Sequence, residues 1–391
     1  MRIVVVGAGV AGSAVALAAA RVGHEVILLE RRPSLDAKAG SWITLAPNGL
    51  DALEVLDVSD DWSEGGAPTR ANRMFDARDR LLGEVTIGTP LVDGRVGLTV
   101  RRSALSTCLA RQAAAVGAEL RLGAVVEAVE LDGPRPVAIV AGERIEADLL
   151  IGADGVWSRV RRAIDPAAPV PRYTGLLNFG GIVDAPELAR SLEPAAWHFV
   201  FGTRAFVGAH PLPTGEIVWF VNLPGDLVPT PERSTTSDDV WRERLLEAVR
   251  GDQGFAAELI RRGRFELVAD STHDLPSVPI WSRGGAVLIG DAVHAPSPSS
   301  GQGASLALED AVELVRALGS ASNPDERDSA LAAFEATRRP RVERVVRNGA
   351  RSGSSKLPTG FGRVLMDGML TLLFRSGFAA REVLATTAHR L

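Results

Sequence analysis

Apolar residues in this chain follow two rhythms, each implying a different architecture. The first is a set of short runs rich in Val, Ile and Leu, at residues 3–6, 26–29, 145–151 and 286–289. Such runs read as strands of a parallel sheet, buried on both faces. Between the first two, an alanine-rich stretch to about Arg21 reads as a helix. The second rhythm occupies residues 170–279, where runs at 175–183, 197–201, 205–209 and 217–222 are separated by Gly, Pro, Asn and Asp at hairpin spacing. That pattern predicts a mostly antiparallel sheet inserted into the first architecture. Helices are expected from Pro47, from 103 to 116 with Ser103 as cap, near Ala304 onward, and through an arginine-rich region to about Asn348. A Gly/Ser-rich break at 349–358 and an amphipathic segment at 361–374 then close the chain.

Composition narrows this picture without redirecting it. The chain has 391 residues, enough for a large core and two subdomains. A net charge of −5 argues against a nucleic-acid partner. No apolar run spans a bilayer, so no stable membrane association is expected. One cysteine, Cys108, excludes an internal disulfide and fits a reducing cytoplasm. Six histidines show no metal-ligand spacing.

The first apolar run leads into Gly7-Ala8-Gly9-Val10-Ala11-Gly12, and the second ends at Glu30. Strand, glycine turn, helix, strand and acid follow in the order of a dinucleotide-binding βαβ unit. Gly7 suits the tight turn, Gly9 the approach of a pyrophosphate, and Gly12 close helix–strand packing. Glu30 is placed to accept hydrogen bonds from a ribose. A secretory leader would share Arg2, the apolar run and Ala18–Ala20, but it needs neither the spaced glycines nor Glu30. Arg31 and Arg32 are surface charges, or one of them faces phosphate or adenine. Asp154, in Gly152-Ala153-Asp154-Gly155, and Asp291, after Gly290, lie at strand ends beside glycines. Gly301 and Gly303 expose N–H groups where a helix begins, a place that stabilises a developing anion.

These motifs, in this order, resemble the single-component class A flavoprotein monooxygenases. That family of FAD-dependent aromatic hydroxylases has salicylate hydroxylase-like, polyketide-hydroxylating and tetracycline-inactivating members. Matching residues are Gly7, Gly9, Gly12 and Glu30; Gly152 to Gly155 with Ser158, Val160 and Arg161; and Gly290-Asp291 with His294, Pro296, Gly301-Gln302-Gly303 and Glu309-Asp310. Arg102-Ser103-Ala104-Leu105 resembles the family's arginine-leading helix.

The resemblance implies an α/β fold. A Rossmann-like, glutathione reductase-type FAD-binding domain would comprise residues 1–70, 98–170 and 280–348. The substrate domain would comprise 71–97 and 171–279, and a C-terminal helical segment 349–391. Glu30 would bind the adenosine ribose, with Ala11, Arg31 and Val126 also near the nucleotide. Arg102 would lie along the pyrophosphate and flavin edge, and Asp291 would hold the ribityl chain. The loop from Pro296 to Gly303, together with Ala304, Gly40 and Ser41, would line the flavin. Asp154 would serve both FAD and a transiently bound NADPH or NADH, for which there is no second fingerprint. The implied reaction passes one atom of O2, through a flavin C4a-hydroperoxide, to an aromatic or polycyclic small molecule.

His210 is a candidate base or substrate contact, against the commoner structural role of a lone histidine. Phe201, Trp219 and Phe220 are candidates to face the substrate. Epoxidation, Baeyer–Villiger insertion and antibiotic inactivation remain open on the same scaffold, as does a non-catalytic flavoprotein. Oligomeric state is not readable.

Overall fold

The computed structural model describes residues 1–36, 40–275, 277–297, 300–354 and 377–391. Its central sheet grows from the first rhythm. Strands β1 (Arg2–Val6) and β2 (Glu25–Glu30) pair in parallel, with Ile3 opposite Val26. On the other side of β1 lies β12 (Leu149–Gly152), followed by β19 (Ala286–Leu288) and the antiparallel edge strand β18 (Ser282–Arg283). Beyond β2 lies β8 (Glu119–Leu122). Parallel neighbours need crossovers, and α1 (Val10–Arg21) supplies the one from β1 to β2. Helices α3 (Arg102–Ala115) and α10 (Gly303–Leu318) pack against α1. Ile3, Leu17, Leu28, Leu150 and Val287 are completely buried between these layers. Each such side chain contributes about 1.5–3 kcal/mol, which is why β1, β12 and β19 are apolar over their buried positions.

Two small antiparallel sheets flank this core. One joins β9 (Val126–Glu130), β10 (Val137–Val140) and β11 (Glu143–Glu146). The other joins β3 (Trp42–Leu45), β7 (Leu98–Arg101) and β4 (Ala67–Pro68). Helix α2 (Pro47–Val55) follows β3, and α4 (Arg159–Ile164) follows β12.

The second rhythm forms a seven-stranded sheet. Its strands are β5 (Ala71–Asp76), β6 (Leu81–Thr86), β13 (Arg172–Asp184), β14 (Ala196–Phe201), β15 (Phe206–Pro211), β16 (Glu216–Pro224) and β17 (Arg264–Asp274). Their order is β17-β13-β16-β15-β14-β5-β6, and only β14 with β5 is parallel. The short helices α5 (Pro186–Ser191) and α6 (Thr230–Thr235) lie between its strands in sequence. One face packs on α7 (Asp238–Ala248) and α8 (Ala256–Arg262), burying Phe179, Val221, Leu245 and Leu259. The other face turns toward the sheet of β3, β7 and β4. Arg101 on β7 holds Glu266 on β17 through two bonds of 2.9 Å, and its guanidinium lies 4.7 Å from the Trp42 ring centroid.

Helices α9 (Asp291–His294), α11 (Pro324–Ser354) and α12 (Phe378–Thr387) complete the fold. The break expected at 349–358 does not begin at Gly349, because α11 runs on to Ser354. Gly349 instead serves close packing, since a Cβ there would lie 2.9 Å from the Ser300 Cβ. The amphipathic segment 361–374 lies outside the described residues.

Candidate functional site

The three glycines of the first turn have different surroundings. Gly7 takes φ +102°, and a Cβ there would lie 2.5 Å from the Ala153 carbonyl oxygen. A Cβ on Gly12 would lie 1.8 Å from the Gly7 oxygen. Both are therefore packing glycines. Gly9 has nothing within 4 Å of that position, so the backbone faces open space where a ligand can approach. The first bond into α1 runs from the Ser13 N–H to the Gly9 carbonyl at 3.0 Å, and α1 has neither a side-chain cap nor an acid in its first turn. Earlier N–H groups thus point out of a positive helix end, which fits a pyrophosphate.

Glu30 closes one side of this cradle. It accepts from the Ala8 N–H at 2.8 Å and from the Arg32 N–H and Nε at 3.0 and 2.9 Å. Burial pushes its carboxyl up, but the bonds from Arg32 and Ala8 outweigh that and hold it below the ordinary glutamate value. It stays an acceptor, as a ribose hydroxyl requires. Of the arginine pair, Arg32 folds back onto Glu30, while Arg31 is exposed. Arg32 is thus the arginine that meets the acid. Two other expected nucleotide neighbours turn their side chains into the core. The Ala11 side chain is buried, where a Cβ on Gly290 would strike its methyl at 2.8 Å. The Val126 side chain lies in the hydrophobic core. Only the backbone of either residue is left for a ligand.

Asp154 follows β12 and lies at the start of α4, whose cap is Ser158. One carboxylate oxygen accepts from the N–H groups of Arg159 and Val160 at 2.6 and 3.2 Å. Its Oδ1 is buried without a hydrogen-bond partner among the described residues. Burial raises this carboxyl above its usual range despite the bonds it accepts. Arg161, nearly fully buried, donates to the carbonyls of Ala292 and Val156 at 2.8 and 2.7 Å, tying this motif to α9.

At α9, Gly290 takes φ +59° and donates its N–H to Asp310 at 2.9 Å. Asp291 opens to the cradle, yet desolvation by the protein packed around it, with the like charge of Asp310, raises its carboxyl above the ordinary value, opposed by His294 and Arg102. Arg102 begins α3 and donates its N–H to the Ser41 carbonyl at 3.0 Å, which fixes the loop at Gly40 and Ser41. A Cβ on Gly303 would lie 3.6 Å from Pro296 Cγ and 3.8 Å from Asp291 Oδ1. The fold therefore brings Asp291, Pro296 and Gly303 together. Gly301 takes φ +60° and Gly40 φ +85°, each with open space beside it. Gln302 precedes α10 as its cap, and Ala304 is partly buried on the core.

Beneath this loop lies a buried ionic cluster. Asp310 accepts from His294 Nε2 at 2.5 Å and Arg338 Nε at 2.8 Å. Glu309 accepts from Arg338, Arg341 and Asn48. Sequence reasoning missed Asn48, Arg338 and Arg341, because no local spacing links Asn48 to a glutamate 261 positions away.

The free face of the large sheet carries Trp197, Phe199, Phe206 and Phe220. Phe199 and Phe220 are half-buried, with ring centroids 5.9 Å apart. Gly208 makes room for the Phe220 ring, since a Cβ there would lie 2.2 Å from Cε1. Trp219 is corrected. Strand alternation turns it to the opposite face, where it is 1 % exposed in the core under α7 and α8. Phe201 is on the free face but buried against Leu82 and Phe206.

His210 is corrected as well, because it is completely buried with both ring nitrogens engaged. Nδ1 lies 2.9 Å from the Pro211 carbonyl, so it carries the proton, and Nε2 accepts from Thr69 at 2.9 Å. Thr69, Thr99 and Thr44 continue the chain at 2.7 and 2.8 Å, and the Trp197 N–H donates to Thr44 at 2.8 Å. Burial lowers the pKa of His210 to about 4. It is a neutral histidine with neither ring nitrogen free to act as a base.

The profile of the family described as FAD binding domain matches residues 1–349. This chain belongs to the FAD-dependent flavoprotein monooxygenases. It is 32% identical to 3-amino-4-hydroxybenzoate 2-monooxygenase of Streptomyces cremeus, covering 92% of this chain and 89% of that protein. It is 29% identical to aurachin C monooxygenase/isomerase of Stigmatella aurantiaca, covering 90% and 89%. In fold it is similar to HpxO of Klebsiella pneumoniae, solved with FAD and uric acid, with a TM-score of 0.84, 24% identity and coverage of 99% and 97%. The cradle at Gly9 and the open face at Gly301 fit the FAD that such an enzyme carries. Among the described residues no helix is long and apolar enough to cross a membrane.

Proposed function

We propose that this monooxygenase uses NADPH or NADH and O2 to hydroxylate a small aromatic or polycyclic substrate held against the free face of its large sheet. FAD, when bound, supplies the electron transfer and oxygen activation. The chain's own residues do the positioning. N–H groups at the start of α1 bind the pyrophosphate, Glu30 takes the ribose, and Asp291, beside Pro296 and Gly303, takes ribityl hydroxyls. N–H groups at Gly301 and Gly303 would hold the polar edge of the flavin as hydrogen-bond donors. Phe199 and Phe220, two rings tilted 59° to one another, offer an apolar corner that excludes water, as oxygen transfer without peroxide loss requires. That half-buried aromatic pair, beside the buried Trp197, Phe201 and Phe206, carries the reading. A relative that acts on an aminohydroxybenzoate supports the same substrate class.

The test is NAD(P)H oxidation by the FAD-loaded protein with a panel of phenols, aminohydroxybenzoates and polycyclic polyketides, following product mass. The expected result is oxidation stimulated by an aromatic compound, with a product heavier by one oxygen. Stimulation only by non-aromatic alkenes or ketones would overturn the aromatic assignment.

A further inference from the structure

The ionic cluster under the flavin loop is too deep to touch a ligand, since Glu309, Asp310 and Arg338 are at most 1 % exposed. Its hydrogen-bond directions nevertheless lead outward. Glu309 Oε2 accepts from Arg338 and from Arg341 Nε at 2.6 and 2.7 Å. Oε1 accepts from Arg341 Nη2 and from Asn48 Nδ2, both at 2.6 Å. A carboxylate held between two guanidiniums stays ionised and only accepts, so Asn48 must turn its NH2 toward it. The same NH2 donates to Gln302 Oε1 at 3.0 Å. Gln302 therefore has its carbonyl oxygen turned inward and its own NH2 turned the other way. It sits between Gly301 and Gly303, as the cap of α10. Arg341 is held in turn by the Thr386 carbonyl of α12 at 3.0 Å, so the C-terminal helix braces the start of this relay.

We propose that Glu309, fixed by Arg338 and Arg341, orients Asn48 and through it Gln302, so that the loop presents the Gln302 NH2 as a hydrogen-bond donor to the polar edge of the flavin. Asn48, Glu309 and Arg341 are positioning residues of the cofactor site. The proposal rests on FAD occupying the cradle described above.

The experiment measures the FAD dissociation constant of full-length apoprotein by fluorescence quenching, for wild type, Asn48→Leu, Gln302→Leu and the double variant, with apoprotein melting as the folding control. Each single change weakens FAD by about tenfold, the worth of a well-placed donor. The double variant is no weaker than Gln302→Leu, because Asn48 then has nothing to orient. Arg341→Lys keeps the charge, loses the fork, and weakens FAD by a smaller factor. Both single leucine variants also shift the midpoint potential of bound flavin in the same direction. Additive losses in the double variant, or an unchanged constant in Asn48→Leu, overturn the relay. Should Asn48→Leu not fold, Asn48→Ser is read by the same criteria. Wild type that takes up no FAD overturns the cofactor placement, and that outcome is distinct from any result among the variants.

Discussion

Two buried polar clusters hold this enzyme together, and they solve the same problem by opposite means. Under the flavin loop, Glu309 and Asp310 meet Arg338 and Arg341, four charges with His294 beside them. Between the large sheet and β3, the chain His210, Thr69, Thr99 and Thr44 carries no charge at all. The charged cluster joins two long helices and satisfies each carboxylate several times over. The neutral chain joins four separate strand or loop segments through single hydroxyls. A buried charge demands a partner, whereas a buried hydroxyl needs only one neighbour with a spare lone pair. The first arrangement is strong and brittle, and the second is weaker and sensitive to a single proton.

The largest effect is expected from Arg338→Ala, which takes the shared cation from two buried carboxylates, leaving Glu309 to Arg341 and Asp310 to His294, and costs about 3–5 kcal/mol in urea unfolding of the apoprotein. A cost near 1 kcal/mol would mean that water or Arg341 compensates, and the charged cluster would not be brittle.

Next comes pH. Unfolded, His210 takes a proton near 6.5; folded, only near about 4. Between those values the unfolded chain binds more protons, so stability rises with pH and is fully present above 6.5. Acidification through this window removes about 3 kcal/mol of His210's contribution, and His210→Gln makes the limb shallower, the rest belonging to His24, His198 and His389, which burial also lowers. Glu309 and Asp310 have carboxyls held below their ordinary values, so their contribution fades only at lower pH, beneath 4.5 and 3.8. The neutral chain is therefore the first to fail in acid. A stability curve that is flat from pH 6.5 to 4.5 in wild type would remove this distinction.

Thr69→Val gives the smallest effect. It deprives His210 Nε2 of its donor and costs about 1–2 kcal/mol by the same unfolding measurement. If it matched Arg338→Ala, the contrast between the clusters would collapse.

Much of the scaffold is written in local pattern. The glycine turn, both flanking strands and Glu30 lie within the first thirty residues, and their roles depend on neighbours in sequence. The antiparallel character of 170–279 showed in its turn residues, because hairpins are local. The clusters did not show. Asn48 and Glu309 are far apart along the chain, and nothing in Thr-x-x or a lone histidine marks a shared hydrogen bond. Trp219 and Phe220 are adjacent aromatics of similar hydrophobicity, and composition cannot say which face either takes.

The amino-acid sequence by itself determined a parallel nucleotide-binding core, an inserted antiparallel sheet and the family's cofactor motifs. It could do so because strand periodicity, turn chemistry and glycine spacing act over a few residues. Only the tertiary structure decided that Arg32 rather than Arg31 meets Glu30, that His210 is buried and neutral, and that Arg341 reaches Gln302 through Glu309 and Asn48. Those outcomes depend on which segments pack against each other, and so on burial and partner geometry that exist only once the chain has folded.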